Sequence, residues 1–487
     1  MAKVAIIGGG MSGVACAMQL VKNGHNPIVF DTGKRGVGGR MATRSESNVQ
    51  FDHACQFFTA SDPRFVATCR EWQEKGIVAP WKGTIVTLRQ GEVVPIGGGH
   101  GGGPNWIGKD GMESIPRKLL SELPGCTVHP GAWVSRLKRT SHGQWEVITS
   151  ERSMGCFDYA IVAHNGKCAN RLSACHGMEN INKVLVKLRL SSIWMVAIQF
   201  QNGLKLPYDA AFVEAPSALS FIGNQKNKFV SSRKSECWVL FSTAEYGKRN
   251  KVPQEFIPED KGKQVTDELL SEFATSIGIA RDALPSIMFT KIQLWGAGLP
   301  LNVLQHSDFI LDPTTKAGIC GDWCVEPSVQ GAVLSGFALA DAIHAREQGI
   351  ATAYVSSSFR PVQTASPIGA FPGLCDGPAT TSNGSARSAA SSAKGQRPVA
   401  STSPASPTQA PALVEPSPEP HPSDTIKWAV RKRVWDYLEQ HNLVDFPRPC
   451  HKRIPNFKGA GEAAHRLAGL DCWARAACVK VNPDVAQ

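Results

Sequence analysis

The sequence predicts an α/β protein whose first domain is interrupted by a mixed, largely antiparallel sheet and followed by a disordered linker and a small helical fragment. Three observations lead to this prediction. Short β-branched runs alternate with helical periodicities through residues 1–350, several strands with few helices occur between 184 and 301, and 12 of the 32 prolines fall within 356–424. Alternation is typical of α/β proteins, whereas a segment rich in Pro, Ser and Ala cannot bury a core.

The individual elements follow from their periodicity. Short apolar runs predict buried strands, and apolar residues recurring every three or four positions predict helices. The predicted strands are Val4–Ile7, Ile28–Asp31, Tyr159–Ala163 and Ile319–Gly321 in the first domain, and Met195–Phe200 and Trp238–Thr243 in the insertion. The predicted helices are Met11–Lys22, Pro63–Lys75, Met112–Leu123 and Pro258–Ile277.

Charge and its distribution bear on the partners. The chain carries 52 Lys and Arg against 41 Asp and Glu, a formal net charge of +11. Residues 425–487 hold 11 basic and 6 acidic residues, which leaves only +6 for the much longer preceding part. A net charge of +6 spread over the first 424 residues does not indicate a nucleic-acid-binding surface, and we expect no nucleic-acid partner.

The cysteines and the N-terminus bear on metal binding and location. The fourteen cysteines include no CxxC pair, so we expect no metal site and mostly reduced thiols. No apolar run approaches the ~18 residues that span a bilayer, and we expect no membrane partner. The expected location is the cytoplasm, or a plastid if the N-terminus is incomplete, because glycines interrupt the first apolar run and no transit peptide precedes it.

A GxGxxG pattern follows the first predicted strand and opens the first predicted helix. Gly8 permits a tight turn, Gly10 lets the backbone approach a pyrophosphate, and Gly13 lets the helix pack on the strand. Asp31, at the end of the second strand, is spaced to bond ribose hydroxyls. This context predicts a Rossmann-like dinucleotide site formed by Gly8, Gly10, Met11, Ser12, Gly13 and Asp31. A second match within residues 97–102 lacks a following helix, and we expect a surface loop there.

Two further segments favour FAD over NAD as the cofactor. The run 36–40 would extend the cradle with backbone N–H groups and the Arg40 guanidinium. Asp322, after a late strand, would accept a hydrogen bond from a ribityl hydroxyl, and the helix capped by Ser328 would direct its positive end toward the flavin. The residues expected in this part of the site are Gly38, Gly39, Arg40, Gly321, Asp322, Gln330, Gly331 and Ala332.

The FAD-binding domain is therefore expected to be discontinuous. Its three parts are residues 1–60, 108–175 and 309–350, and the substrate domain consists of residues 61–107 and 176–308. The predicted linker is 351–424 and the C-terminal fragment 425–487. Since no Cys lies in a recognisable flavin-attachment motif, we expect non-covalent binding.

The order of these motifs resembles that of the FAD-dependent amine-oxidase-like flavoproteins. Within them, residues 51–58 (Phe-Asp-His-Ala-Cys-Gln-Phe-Phe), 106–112 and 321–324 are similar to the renalase branch, over roughly residues 1–348. The resemblance implies oxidation of off-pathway dihydro isomers of NAD(P)H, with oxygen as acceptor and hydrogen peroxide as product. His164-Asn165, Gln330 and Asp110 depart from the family's pattern, as in a divergent subfamily.

Flavin oxidation requires a donor held near the flavin in a dry cleft that oxygen can enter. Trp295, Trp323, His53 and Gln56 are the candidates to line that cleft. His53 has an alternative interpretation as a core histidine bonded to a backbone carbonyl, and Trp295 as a packing residue.

The C-terminal fragment is similar to the opening of proteins related to 5-formyltetrahydrofolate cyclo-ligase, especially the methenyltetrahydrofolate-synthase-domain group. The motifs lie in residues 427–436, 446–460 and 479–484. A truncated gene model, a fused vestige and a basic interaction segment all remain open. For the whole chain, the alternative to an oxidoreductase is a flavin-binding regulatory module with a decayed active site and a tail that docks a partner or RNA.

Overall fold

The structure is a computed structural model that describes residues 1–46, 48–89, 91–95, 103–150, 152–214, 216–229, 236–254, 256–350, 358–362 and 432–441, with the single residues 443, 462 and 466. The second GxGxxG match, at 97–102, and nearly all of the predicted linker lie outside these residues. The chain divides into two units, Met1–Gly384 and Ser385–Gln487. Among the helices described, none combines the length and the apolarity needed to cross a membrane.

Four of the eight α-helices described in the first unit coincide with the predicted periodicities. In chain order they are α1 (Met11–Lys22), α2 (Pro63–Glu74), α3 (Ser114–Ser121), α4 (Gly166–Ser173), α5 (Glu179–Leu185), α6 (Ala244–Arg249), α7 (Glu259–Ser276) and α8 (Val329–Glu347). The bounds of α1 agree with the prediction at both ends.

The strands of the same unit are short. In chain order they are β1 (Lys3–Ile7), β2 (Asn26–Asp31), β3 (Thr43–Glu46), β4 (Val49–Asp52), β5 (Val78–Pro80), β6 (Ile85–Arg89), β7 (Glu92–Pro95), β8 (Trp106–Gly108), β9 (Thr127–Pro130), β10 (Val134–Arg139), β11 (Trp145–Thr149), β12 (Arg152–Phe157), β13 (Tyr159–Val162), β14 (Ile193–Phe200), β15 (Ala210–Val213), β16 (Leu219–Asn224), β17 (Cys237–Ser242), β18 (Ile287–Trp295), β19 (Asn302–Leu304), β20 (Ile310–Asp312), β21 (Ala317–Ile319) and β22 (Phe359–Pro361).

A six-stranded sheet forms the Rossmann-like part, in the order β20-β21-β13-β1-β2-β9. All neighbours are parallel except β20 and β21. β1 is buried beyond its first residue, as expected of a strand covered on both faces. Helices α1 and α8 pack so closely that a Cβ on Gly336 would lie 2.4 Å from the Ser12 carbonyl oxygen. The carboxyl ends of β1, β2, β13 and β21 therefore meet at one edge.

A seven-stranded sheet forms the insertion, in the order β18-β14-β17-β16-β15-β6-β7. Its neighbours are antiparallel except β15 and β6, which are parallel. One face packs on α7 through residues such as Trp238 and Phe273. The mixed sheet confirms the predicted fold class.

Two expectations for the first unit are corrected. The late strand β21 ends at Ile319 and does not continue to Gly321, because the chain turns at Gly321 into a short 3₁₀ helix. Part of the predicted linker is ordered: β22 pairs with β19, and Phe359 stacks on Trp323 with ring centroids 6.0 Å apart. Because Phe359 stacks on the buried Trp323, part of the folded structure lies beyond residue 350.

In the second unit, residues 432–440 are helical. Trp435 and Leu438 are buried and Leu443 packs against them. The sequence predicts a helix at 426–441 with one apolar stripe formed by Trp428, Val434, Trp435 and Leu438. Trp428 lies outside the described residues, and Val434 is 49% exposed. The buried face of this helix is therefore formed by Trp435 and Leu438, which are three positions apart, and it does not include Val434.

A buried ion pair joins the β3–β4 hairpin to the insertion. Lys228 Nζ lies 2.8 Å from Asp52 Oδ2, and each side chain is 1% exposed. Asp52 Oδ1 also accepts hydrogen bonds from Thr43 Oγ1 (2.6 Å) and from the Met112 backbone N–H (3.0 Å). Removal of one partner would leave a buried charge without compensation.

We therefore expect Lys228→Met to lower the free energy of unfolding by about 3–5 kcal/mol in urea denaturation, since the Asp52 carboxylate stays buried and unpaired. The double variant D52N/K228M should recover part of this loss. Lys75→Met is the matched control, because the Lys75–Glu71 pair is exposed and such pairs contribute about 0–1 kcal/mol. Equal losses for Lys228→Met and Lys75→Met would contradict the assigned role.

Candidate functional site

A cavity of about 350 Å³ opens at the edge where the parallel strands of the six-stranded sheet end. Ligands of doubly wound sheets bind at this edge, where the strand order reverses. Most of the residues predicted to form the site line the cavity: Gly8, Gly10, Met11, Ser12, Asp31, Gly38, Gly39, Arg40, Trp295, Gly321, Asp322 and Ala332. The fold thus brings together residues that are more than 300 positions apart.

The N-terminus of α1 faces the cavity without a side-chain cap. Its N-cap residue is Gly10, and no side chain accepts a hydrogen bond from the first turn. A Cβ on Gly10 would meet nothing within 4 Å, so the cavity reaches the backbone there. The first N–H groups of a helix carry partial positive charge and bind anions such as phosphates. The residues present therefore fit a pyrophosphate.

Gly8 and Gly13 allow this arrangement. Gly8 has φ +120°, a conformation that other residues rarely adopt. A Cβ on Gly13 would lie 2.0 Å from the Gly8 carbonyl oxygen. Gly13 accordingly does not line the cavity, but it allows α1 to approach the turn after β1.

Asp31 is held by two backbone donors. Its Oδ2 accepts from the Gly9 N–H and its Oδ1 from the Gly33 N–H, both at 2.7 Å. These bonds fix the carboxylate at the cavity wall. An ionised carboxylate has about four acceptor positions, so Asp31 can still accept from hydroxyl groups of a ligand.

Arg40 and Asp322 form a bidentate ion pair across the cavity wall. Arg40 Nη1 and Nη2 lie 2.7 and 2.8 Å from the two Asp322 oxygens, and Nη1 also donates to the Gly298 carbonyl (3.2 Å). Burial lowers the pKa of Arg40, but the charge and hydrogen bonds of Asp322 outweigh it and raise that pKa overall. The two residues were expected to bind separate parts of a ligand, whereas the structure pairs them and neutralises both charges.

The start of α8 forms another wall. Ser328 is the N-cap, as predicted, and its Oγ accepts from the Gly331 N–H at 2.8 Å. The Gln330 side chain turns away from the cavity, and its Oε1 accepts from the N–H groups of Ser61 (2.8 Å) and Asp62 (2.9 Å). Gln330 and Gly331 are not among the lining residues. Both residues belong to the helix that forms this wall, but they do not face the cavity.

His53 lies behind Trp295. The Trp295 indole N–H donates to the His53 carbonyl oxygen at 3.0 Å, and the two ring centroids are 5.0 Å apart. His53 Nδ1 lies 2.8 Å from Gln293 Oε1, while Nε2 has no partner among the described residues. Burial, with a smaller contribution from the Arg44 charge, lowers the pKa of His53 to about 3. The imidazole is neutral at pH 7 and does not line the cavity.

Gln56 belongs to the buried network around Asp52 and does not line the cavity. Its Nε2 donates to the Asp52 carbonyl (2.6 Å), and its Oε1 accepts from Gln225 Nε2 (2.7 Å) and Lys228 Nζ (3.2 Å). Every polar atom of its amide is therefore engaged. This corrects the expectation that Gln56 lines a pocket with Trp295.

Several lining residues were not predicted as site residues. They are Trp133 after β9, His164 and Asn165 after β13, and Cys55. Burial lowers the pKa of His164 and raises that of the Cys55 thiol to about 12. Trp133 and the pair His164-Asn165 could have been found from the sequence, since each follows a strand of the same parallel sheet. A Cys55 thiol with so high a pKa is protonated and poorly nucleophilic.

Comparisons with known proteins agree with the Rossmann-like fold described above. A model of the NAD(P)-binding Rossmann-like domain matches residues 6–72. Mouse renalase is 24% identical over 268 residues, which cover 51% of this chain and 73% of renalase. A candidate protoporphyrinogen oxidase from Exiguobacterium sp. 255-15 superposes with a TM-score of 0.54 at 13% identity, covering 71% of this chain and 99% of that one. Cyclohexylamine oxidase from Brevibacterium oxydans superposes with a TM-score of 0.50 at 12% identity, over 71% and 99% of the two chains.

A shorter stretch is similar to a different protein. Methenyltetrahydrofolate synthase domain-containing protein from mouse is 54% identical over 61 residues, and the zebrafish protein 57% over 58 residues. The aligned stretch covers 12% of this chain and only 16% and 15% of those relatives. Together the comparisons confirm the two predicted resemblances, and the solved structures confirm the predicted fold.

Proposed function

We propose that this chain is an FAD-dependent oxidoreductase that oxidises a small donor, a dihydronicotinamide nucleotide, with oxygen as acceptor and hydrogen peroxide as product. The observation that carries the proposal is the cavity at the strand ends. It combines an uncapped helix N-terminus, open space at Gly10, and the anchored Asp31 carboxylate. The similarity to renalase over 73% of its length supports the enzyme class.

The chain's own residues would hold FAD without a covalent bond. The first N–H groups of α1 would bind the pyrophosphate and Asp31 the ribose hydroxyls. Trp133 lines the same cavity beneath the Arg171 guanidinium, 5.3 Å from its ring, and offers an aromatic face near Asp31. The protonated Cys55 thiol favours non-covalent binding. When bound, FAD supplies a two-electron acceptor whose electrons can pass to oxygen.

The residues around Trp295 suit a hydride donor. A dihydronicotinamide loses one hydride and becomes an aromatic cation, and that hydride with one proton reduces oxygen to hydrogen peroxide, so no protein base is required. His53 is neutral and buried, so it neither delivers nor removes a proton near pH 7. Trp295 and the ion-paired Arg40 and Asp322 fix the cavity wall and leave no unpaired charge among them. We retain the cytoplasmic location as part of the proposal, and all the described cysteines are free thiols.

Gly10→Val tests the cradle. Since an added Cβ meets nothing within 4 Å, the variant should fold normally, but its side chain would occupy the space of the pyrophosphate. We expect the flavin released by acid precipitation to fall at least about tenfold, the loss of roughly 1.4 kcal/mol of binding. Gly103→Val is the control, because its Cβ would meet only the Ala60 carbonyl oxygen at 3.6 Å. Normal flavin content in Gly10→Val would contradict the cradle, and colour retained in the acid pellet would contradict non-covalent binding.

Anaerobic mixing tests the donor. Dihydro isomers of NAD(P)H with the hydride at ring position 2 or 6 should bleach the flavin faster than ordinary NADPH or primary amines, and the rate should not follow a His53 titration between pH 6 and 8, because the pKa of His53 is about 3. Stopped-flow absorbance measures both. Reduction by amines but not by the isomers would reject the donor and leave the flavin oxidase assignment in place.

A further inference from the structure

A cluster of positive charges lies beside the proposed site, on the β3–β4 hairpin, the loop before it and β18. Lys291 Nζ lies 3.1 Å from Glu46 Oε2, and Arg35 Nη1 lies 3.7 Å from Glu46 Oε1. Arg44 stands two residues before Glu46 on β3, on the same face of the strand. Two cations therefore pair with the Glu46 carboxylate and Arg44 is a third cation beside them, so the cluster carries a net charge of +2. We propose that Arg44, together with Arg35 and Lys291, binds the phosphate of a phosphorylated electron donor.

Arg44 is the residue that distinguishes this cluster from an ordinary surface patch. It is half-buried, yet within the described part of the chain its side chain makes no ion pair and no hydrogen bond. Burial, and then the nearby Arg35, lower its pKa, while Glu46 only partly offsets them. A guanidinium has five donors arranged to match the oxygens of a phosphate. An anion at this position would relieve the repulsion between Arg44 and Arg35.

Strand β18 connects the cluster to the cavity. Lys291, Gln293 and Trp295 alternate along this strand and so share one face. Lys291 contacts Glu46, Gln293 contacts His53, and Trp295 lines the cavity. The cluster is thus offset from the cavity by four residues of strand, about 13 Å along β18. A donor whose ring reaches the flavin beside Trp295 could extend its phosphate in this direction.

The cluster does not belong to the cradle for the cofactor pyrophosphate. Arg35, Arg44 and Lys291 are not among the residues that line the cavity, and the pyrophosphate is assigned to the N-terminus of α1. The inference rests on the proposed function, because it assigns the charges to the donor of that reaction. It adds to that function the residues that would bind the phosphate of the donor nucleotide.

Paired ligands that differ by one phosphate test the inference on the flavin-loaded protein. Calorimetry would compare nicotinamide mononucleotide with nicotinamide riboside, and stopped-flow reduction would compare their dihydro forms. In Arg44→Gln we expect the Kd of the mononucleotide to rise about tenfold or more, as for the loss of a charge-assisted hydrogen bond. The Kd of the riboside and the flavin content should stay unchanged.

Glu46→Gln provides a test of opposite sign. It removes the carboxylate that competes with the phosphate for the three cations, so the mononucleotide should bind more tightly while the riboside is unaffected. A purely structural role of Arg44 would instead affect both ligands equally in both variants. Arg70→Gln, on the exposed face of α2, is the matched control for loss of one positive charge.

Equal affinities of wild type and Arg44→Gln for the mononucleotide would overturn the phosphate subsite. That result would leave the oxidase proposal intact if dihydronicotinamides still reduced the flavin. Conversely, failure of every dihydronicotinamide to reduce the flavin would reject the proposed donor. In that case, discrimination of the mononucleotide from the riboside by Arg44 in calorimetry would still support an anion subsite.

Discussion

The close approach of α1 to the end of β1 is the constraint on which the candidate site depends. Gly13 touches the turn at Gly8 so closely that no side chain fits between them. This contact holds the uncapped first turn of α1 against the open edge of the sheet. Because β2, β13 and β21 run parallel to β1, their ends deliver Asp31, His164 and Asp322 to the same edge. The cavity follows from this packing and from the strand order.

Two ion pairs connect distant segments around that edge. Arg40 with Asp322 joins the loop after β2 to the turn before α8, and Asp52 with Lys228 joins the β3–β4 hairpin to the insertion. Both carboxylates are almost fully buried and accept from more than one donor. In a buried environment, removal of one member of such a pair leaves the other charge without compensation. Each pair neutralises its own two charges and fixes the segments that it joins.

The local parts of the fold could be predicted from sequence because their signals are local. The bounds of α1, the glycine turn and the Ser328 cap each depend on a few adjacent residues. The side-chain partners could not be predicted, since Arg40 and Asp322 are 282 residues apart and Gln56 and Lys228 are 172 apart. Both Arg40 and Gln56 were assigned to ligands from their motifs. Periodicity reports which face of an element is buried, but not which distant polar group meets it there.

The similarities to known proteins cover very different lengths of the chain. The renalase-like similarity covers about half of the chain, whereas the methenyltetrahydrofolate-synthase-domain similarity covers 61 residues. All the residues to which the proposed reaction assigns a role lie in the first unit. The proposed function therefore concerns the first unit alone.

Titration of the flavin-free protein with FAD, FMN and riboflavin tests the central claim most directly. Flavin fluorescence would report the affinity of each ligand. If the N-terminus of α1 binds a pyrophosphate and Asp31 a ribose, FAD should bind at least about a hundredfold more tightly than riboflavin, corresponding to roughly 2.7 kcal/mol, with FMN in between. Equal affinities for the three flavins would show that the helix terminus and Asp31 contribute nothing to binding, and would contradict the account.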